Sequence, residues 1–217
     1  METKDLIERY PKLYHMAEKG TWPSIKAKGL LSTTAVLDHF SIGGGLRREI
    51  EQDHRPDKMR VGSEELGIVL RDQKPMIPSR LADALIDGTT PAQWYKFLNG
   101  RVFMWAQEKR LLGLLGARHY RNLEHDVLTI DAKALVESYG DKIWLCRMNS
   151  GNTWPMPHPR GMKDFKRIAD YPTKKRSGAP YKEVVEVVTD YSIPNIGEFV
   201  TEVRRMKGKL VLEEIAL

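Results

Sequence analysis

Apolar residues recur in this chain in two rhythms, and the switches between them mark out short elements. Dense β-branched and aromatic runs predict strands over Lys12–Met16, Leu66–Leu70, Arg101–Trp105, Val127–Ile130, Ile143–Met148 and Glu183–Thr189, with Lys209–Ile215 as a weaker seventh. Thr21-Trp22-Pro23 ahead of Ser24–Lys28 and Gly29 supplies an N-cap, an early proline and a C-terminal glycine, so a helix is expected there. Thr90-Pro91 to Asn99-Gly100 repeats that grammar, and so does Asp131 to Gly140. Ser79–Asp87 and Gln107–Ala117 carry apolar residues at helical spacing. Short strands mixed with short helices, without regular βαβ alternation, predict an α+β domain spanning residues 1–217. Its central sheet is expected to be mixed and largely antiparallel, flanked by the helices. No GxGxxG opens a helix after a strand, which disfavours a doubly wound dinucleotide fold. No internal repeat or low-complexity linker divides the chain.

The least apolar stretch is Ser41–Ser63, which opens on Gly43-Gly44-Gly45. It is expected to be a mobile loop with one short helix. The triplet lacks the lysine and Ser/Thr of a P-loop, so it reads as a hinge and not as a phosphate cradle.

Composition narrows the classes. Of 217 residues, 41% are hydrophobic and 29% charged, the balance of an ordinary globular protein. The longest apolar stretch, Leu111–Ala117, is far short of the ~20 residues that span a membrane. METKDLIERY at the start has no apolar core, so neither a leader nor a membrane partner is expected. A single cysteine, Cys146, excludes an internal disulfide, fits the cytoplasm, and reads as a buried small hydrophobe. The net charge of +6 biases the chain toward a polyanionic partner. Each basic group alone (Arg47-Arg48, Arg55/Lys58/Arg60, Lys163/Lys166/Arg167, Lys174-Lys175-Arg176, Arg204-Arg205/Lys207/Lys209) is a solvated face; together they point to a nucleic-acid surface.

Several chemistries fail quickly. None of the six histidines sits in HExxH or another ligand spacing, so no metal is expected, and no GxSxG elbow marks a serine hydrolase. What remains is a few polar residues set in or beside apolar strands. His15 lies within Leu13-Tyr14-His15-Met16, and Arg101 precedes Val102-Phe103-Met104-Trp105. Glu186 interrupts Val184-Val185-Glu186-Val187-Val188, where a carboxylate is costly unless it points outward or serves a purpose. Glu183 and Glu186 face opposite sides of a strand, and sequence leaves open which one faces inward. Asn149–Thr153 reads as a turn, and Tyr120 and Arg121 as surface.

Taken in order, these features resemble the ADP-ribosyltransferase fold, and more narrowly its DarT-type, nucleic-acid-modifying branch. The resemblance rests on His15 ahead of Ser24-Ile25-Lys26-Ala27-Lys28-Gly29-Leu30-Leu31, similar to SIxxxGLL. It rests also on the aromatic strand Val102–Trp105, and on Glu186-Val187-Val188 ahead of Ile193-Pro194. It implies an NAD-dependent ADP-ribosyltransferase with NAD as substrate, acting on nucleic acid, DNA ahead of RNA, in a toxin or phage-defence setting with an antitoxin protein as partner. It implies Glu186, His15 and Arg71 as catalytic residues. His15, Ser32, Thr33, Arg101, Phe103 and Trp105 would hold NAD, with Arg71 and Arg101 competing for the arginine role. Arg47, Arg48, Lys174, Lys175 and Arg176 would hold the nucleic acid. The RNA 2′-phosphotransferase family shares the histidine strand and the SIxxxGL helix, which makes that activity the first alternative. A non-catalytic NAD-, ADP-ribose- or nucleic-acid-binding module is the second.

Bond chemistry supports the same residue types. Breaking the nicotinamide glycosidic bond builds positive charge on the ribose, as glycoside hydrolysis does. That charge calls for an aimed carboxylate, an aromatic wall for the leaving ring, a polar anchor and a cation for the pyrophosphate. The reading requires the strands of His15, Val102–Trp105 and Glu186 to converge on one cleft, with His15 and Glu186 on one face of the sheet.

Overall fold

Alternating short elements order this chain, and the computed structural model describes all of residues 1–217. The first half runs α1 (Thr3–Arg9), β1 (Lys12–Glu18), α2 (Trp22–Lys28), β2 (Leu30–Leu31), α3 (Thr33–His39), α4 (Gly44–Gln52), β3 (Met59–Val61), β4 (Ile68–Leu70), α5 (Pro78–Ala84) and α6 (Pro91–Asn99). The second runs β5 (Arg101–Trp105), α7 (Glu108–Leu115), β6 (Glu124–Asp131), α8 (Ala132–Tyr139), β7 (Ile143–Cys146), β8 (Phe165–Arg167), β9 (Glu186–Asp190), β10 (Ser192–Ile193), β11 (Val200–Lys207) and β12 (Leu210–Ile215). The fold is α+β, with an eight-stranded central sheet in the order β12-β11-β6-β1-β5-β9-β7-β8. Each of its ladders is antiparallel.

Both faces of the sheet are covered. On one face Leu13, Val102, Leu128 and Val187 pack against Leu6 of α1, Trp22 of α2 and Leu135 of α8. On the other, Leu81 of α5 and Trp94 of α6 cover Cys146 and Val188, while Leu111 and Leu115 of α7 cover Met16, Val127 and Met206. Burying each such side chain contributes about 1.5–3 kcal/mol, so two-sided coverage is what holds so many short strands together. Cys146 is fully buried, as a small hydrophobe should be. No helix is long and apolar enough to cross a membrane.

Two expectations need correction. Ser41–Ser63 is not mainly loop: it carries the nine-residue α4 and strand β3. Gly43 is the N-cap of α4, and the helix buries Ile50 and Glu51, with Asn99 Nδ2 donating to the Glu51 carbonyl at 2.9 Å. Ile50 is its buried apolar side chain, while Leu46 stays half exposed, so polar contacts such as the Asn99 bond help to seat the helix. The other correction is β11, expected only as a basic cluster. Its Val200, Val203 and Met206 turn inward at three-residue intervals, and register shifts between Val200 and Glu202 and between Arg205 and Met206 allow this. The bulges break the period of two by which a strand is recognised.

A seam divides the sheet. β1 pairs with β6 along all seven residues Lys12–Glu18, yet meets β5 only where Tyr14 faces Trp105. Beyond that point the two halves of the sheet part. Near the seam, β2 and β10 form a small ladder, Leu30 with Ile193 and Leu31 with Ser192. The GLL end of the α2 segment therefore touches the Ile193-Pro194 segment directly. Gly29 makes this possible: its φ is +89°, and a Cβ there would stand 2.6 Å from Pro194 Cα.

Candidate functional site

Where β1 and β5 separate, backbone and side chains that would have been sheet interior border open space instead. Two adjoining cavities, of about 290 Å³ and about 480 Å³, lie along the gap and share His15, Thr33, Arg55, Arg71, Arg101 and Phe103 on their walls. Joined, they fall in the range of roughly 300–1,000 Å³ that small-molecule sites occupy.

Glu186 opens β9 in the row Tyr14–Trp105–Glu186–Cys146 across four strands, and it lines the smaller cavity. It is only 4% exposed. The Ser150 N–H donates to its Oε1 at 3.1 Å, while Oε2 has no hydrogen-bond partner. Burial raises its carboxyl to about 7; hydrogen bonds from Ser150 and the charge of Arg160 pull the other way. Glu183 is a different case. It is exposed, pairs with Lys109 and Arg110, and lines neither cavity. The choice that the sequence left open falls to Glu186.

His15 sits at the parting of the strands. Its Nδ1 donates to the Phe103 carbonyl at 2.8 Å, since a carbonyl can only accept. That bond stands where a β1–β5 ladder bond would otherwise form, and it leaves Nε2 as an acceptor. Desolvation holds the ring neutral, lowering its pKa to about 4, with the nearby Arg71 charge acting the same way. The same-face requirement fails here, and this overturns the site as drawn from the sequence, a pocket on one face of the sheet; the fold class is untouched. By pleat, His15 belongs with Leu13 and Ala17 on the α1–α8 side, and Glu186 with Cys146 and Val188 on the α5–α6 side. Both nevertheless line the smaller cavity, whose walls draw residues from either face of the sheet.

The two candidate arginines differ in freedom. Arg101 is committed: its Nε lies 3.2 Å from Asp190 Oδ1, Nη1 donates to the Phe97 carbonyl at 2.6 Å, and the guanidinium stacks 3.6 Å from the Phe97 ring. Burial lowers its pKa, against the pull of Asp190. Arg71 makes one long hydrogen bond, 3.4 Å to the Met16 carbonyl, and rests 5.3 Å over the Tyr120 ring. It borders both cavities with no carboxylate paired to it, so it is the arginine available to an anion. Phe103 borders both cavities and Trp105 the smaller; Phe103 also packs edge-on against Phe165. Thr33 borders both, whereas Ser32 borders only the larger, and its hydroxyl already caps α3 by accepting from Ala35 N at 3.1 Å.

The residues assigned to nucleic acid lie elsewhere. Arg47 is tied to Asp38 at 2.5 Å and Glu51 at 3.2 Å, so its charge is largely answered within the protein; Arg48 is exposed on α4. Lys174, Lys175 and Arg176 stand exposed in a turn held by Arg9 of α1, whose Nη2 donates to the Ser177 carbonyl. Neither group lines either of the two cavities.

Sequence reasoning passed over several wall residues. Tyr120 was expected at the surface; it is buried, and its hydroxyl donates to Asp72 Oδ1 at 2.7 Å. Arg55, grouped with a solvated cluster, is instead a cavity wall that braces the Arg71 segment, Nε donating to the Arg71 carbonyl at 2.8 Å. Burial lowers its pKa to about 10. Asn149, Ser150 and Gly151 line the cavity as a turn, so the turn reading and a site role coincide. No periodicity marks such residues, because long-range packing alone brings them in. No group of three or more His, Cys, Asp or Glu side chains is gathered at metal-binding reach.

The model of a family described as a family of unknown function, DUF7002, matches residues 11–200. No curated protein matches the chain.

Proposed function

The chain belongs to the DUF7002 family, and we propose that it is an NAD-dependent ADP-ribosyltransferase acting on nucleic acid, DNA ahead of RNA. One observation carries the reading: a buried carboxylate with a free oxygen, a neutral histidine with a free acceptor and an unpaired arginine border one gap between parting strands. These are the groups that nicotinamide–ribose cleavage calls for, and they stand in the order that the resemblance to DarT-type enzymes implies.

In this reading His15 Nε2 accepts from a ribose hydroxyl and Arg71 meets the pyrophosphate, a charge-assisted contact for which its guanidinium is free. Phe103 and Trp105 flank the nicotinamide ring. Glu186 Oε2 faces the ribose as positive charge develops. The C1′–N bond breaks with its electron pair leaving on nicotinamide. A lone pair of the nucleic-acid acceptor then forms the new bond to C1′, and the acceptor proton passes to Glu186. A carboxyl near 7 suits a group that must be ionised for the first event and take a proton in the second.

The test is incubation with NAD labelled in the ADP-ribose, together with DNA, RNA or total protein. Label in the DNA pool and release of nicotinamide are expected. Label in no pool, with NAD intact, would sink the reading.

A second reading draws on Arg55, Arg71 and Arg101 sharing both cavities, a basic wall suited to a phosphorylated substrate. An RNA 2′-phosphotransferase would use it. Against this, the guanidiniums of Arg55 and Arg101 are already bonded to carbonyls and side chains. Loss of phosphate from a 2′-phosphorylated RNA in the presence of NAD, with no label on DNA, would favour this alternative.

A further inference from the structure

The chemistry proposed for the cleft leaves one buried charge without a task. Arg160 is 1% exposed and forms no ion pair. Its backbone is fastened next to the end of α5: its N–H donates to the Ala84 carbonyl at 2.8 Å, and its own carbonyl accepts from Ile86 N at 3.0 Å. From that anchor the guanidinium reaches two carbonyls, Nε donating to His158 O at 3.0 Å and Nη1 to Ser150 O at 3.1 Å. Ser150, also 1% exposed, gives its N–H to Glu186 Oε1. Cation, serine and carboxylate thus form one buried chain whose far end, Oε2, has no protein partner.

A buried cation with no anion beside it is costly, and such groups persist where a charge nearby offsets them. Burial lowers the Arg160 pKa; against it pull, in order, the Cys146 thiol, Glu186 and Asp164. Asp164 is already bound to Arg147 at 2.9 Å, and burial pushes the Cys146 thiol further from ionising. Glu186 is what remains. Cys146 is its register partner on β7, and the other charged or titratable groups lining the same cavity are His15, Arg55, Arg71, Asp72, Arg101 and Tyr120.

We infer that Arg160 is the positioning residue of the Glu186 carboxylate: it clamps Ser150 so that the Ser150 N–H holds Oε1, sets a positive charge behind it, and leaves Oε2 for the bound molecule. The inference rests on Glu186 as the working carboxylate of the proposed transferase. Lysine at 160 keeps the charge but offers no planar fork to bridge the carbonyls of Ser150 and His158. It should therefore preserve the ionisation of Glu186 while loosening its aim.

NMR on the wild-type chain carries the deciding measurement, so the outcome does not depend on any variant folding. The Arg160 Nε–H signal should move as the 13C-labelled Glu186 carboxyl titrates, with the same midpoint, and stay flat in Glu186→Gln. In Arg160→Gln the proton affinity of Glu186 should rise about threefold to tenfold, and in Arg160→Lys it should return to the wild-type value. A reacting group misplaced by about 1 Å can cost about 100-fold in rate, so Arg160→Lys should lower kcat by at least ~10-fold with KM for NAD little changed. An Arg160 signal blind to Glu186 in the wild type overturns the inference. Should NAD neither bind nor react while the two titrations stay coupled, the transferase reading falls and the clamp stands. Should NAD turn over while they are uncoupled, the clamp alone falls.

Discussion

Glu186 is the residue at which stability and the proposed chemistry oppose each other. Its carboxyl is raised to about 7 in the folded chain, against an unfolded value near 4.5. The folded state therefore binds the extra proton, so its stabilising contribution is whole below about 4.5 and is lost as pH rises through about 7. Glu186→Gln removes that loss. The variant should be more stable than wild type at pH 8, by on the order of 1–3 kcal/mol, and nearly equal to it at pH 4.5, as urea midpoints at the two pH values would reveal. The same variant should bind NAD yet lose at least ~100-fold in transfer, the size of effect expected when a charge aimed at a transition state is deleted. Histidines run the other way. Burial lowers His15 and His125 to about 4, so their contribution is present above about 6.5 and is lost as pH falls toward about 4. His125 is fully buried with neither ring nitrogen partnered, so His125→Leu should flatten the acid limb of a melting-temperature profile between pH 7 and pH 5. An unchanged limb would mean that other groups govern acid unfolding.

At the scale of elements, the contacts around α2, β2 and α3 separate fold from binding. Ser32 caps α3, so Ser32→Ala should cost about 1 kcal/mol of stability. Calorimetric NAD affinity should barely change, because the hydroxyl is already spent on Ala35 N. A large loss of affinity with stability intact would return Ser32 to the ligand set. Gly29→Ala should be far harsher, at least ~2 kcal/mol, since the residue holds φ +89° and its Cβ would meet the Pro194 backbone. Those two positions also show how far the chain could be read. The caps of α6 and α8, the prolines of α2 and α6, and the runs of β1, β5 and β9 lie in contiguous sequence, which is why all six were legible. The expected Thr21 cap of α2 is absent, because that hydroxyl donates to the Glu18 carbonyl instead. β11 and the short β2, β3, β8 and β10 were not, because bulges or two- and three-residue lengths leave no period to detect.

The charge of the whole molecule makes the nucleic-acid half of the proposal separable from the NAD half. Exposed Lys174, Lys175 and Arg176 lie outside the cavity walls. Reversing all three to glutamate should therefore weaken nucleic-acid modification while leaving NAD hydrolysis into water nearly intact. Binding through such residues releases counterions, so oligonucleotide affinity should fall steeply between ~50 and ~200 mM salt. Flat binding over that range would remove the nucleic-acid acceptor and leave the proposal about NAD untouched. Arg47 should contribute little in either assay, because Asp38 and Glu51 already hold it.

By itself the sequence determined the α+β class, the strands that carry His15, Trp105 and Glu186, and the burial of Cys146, since each depends on residues a few positions apart. Tertiary structure alone decided which glutamate borders the gap, that Arg101 is bound up with Asp190 while Arg71 stays free, and that Tyr120, Ser150 and Arg160 stand around the site. Those outcomes depend on where β1 stops pairing with β5. Past the Tyr14–Trp105 pairing His15 bonds to the Phe103 carbonyl, and the two cavities lie along the parting of the strands. The pleat of each strand is local and could be counted from the sequence. Whether two strands stay together is a competition among long-range contacts, and there the competition ended in a gap.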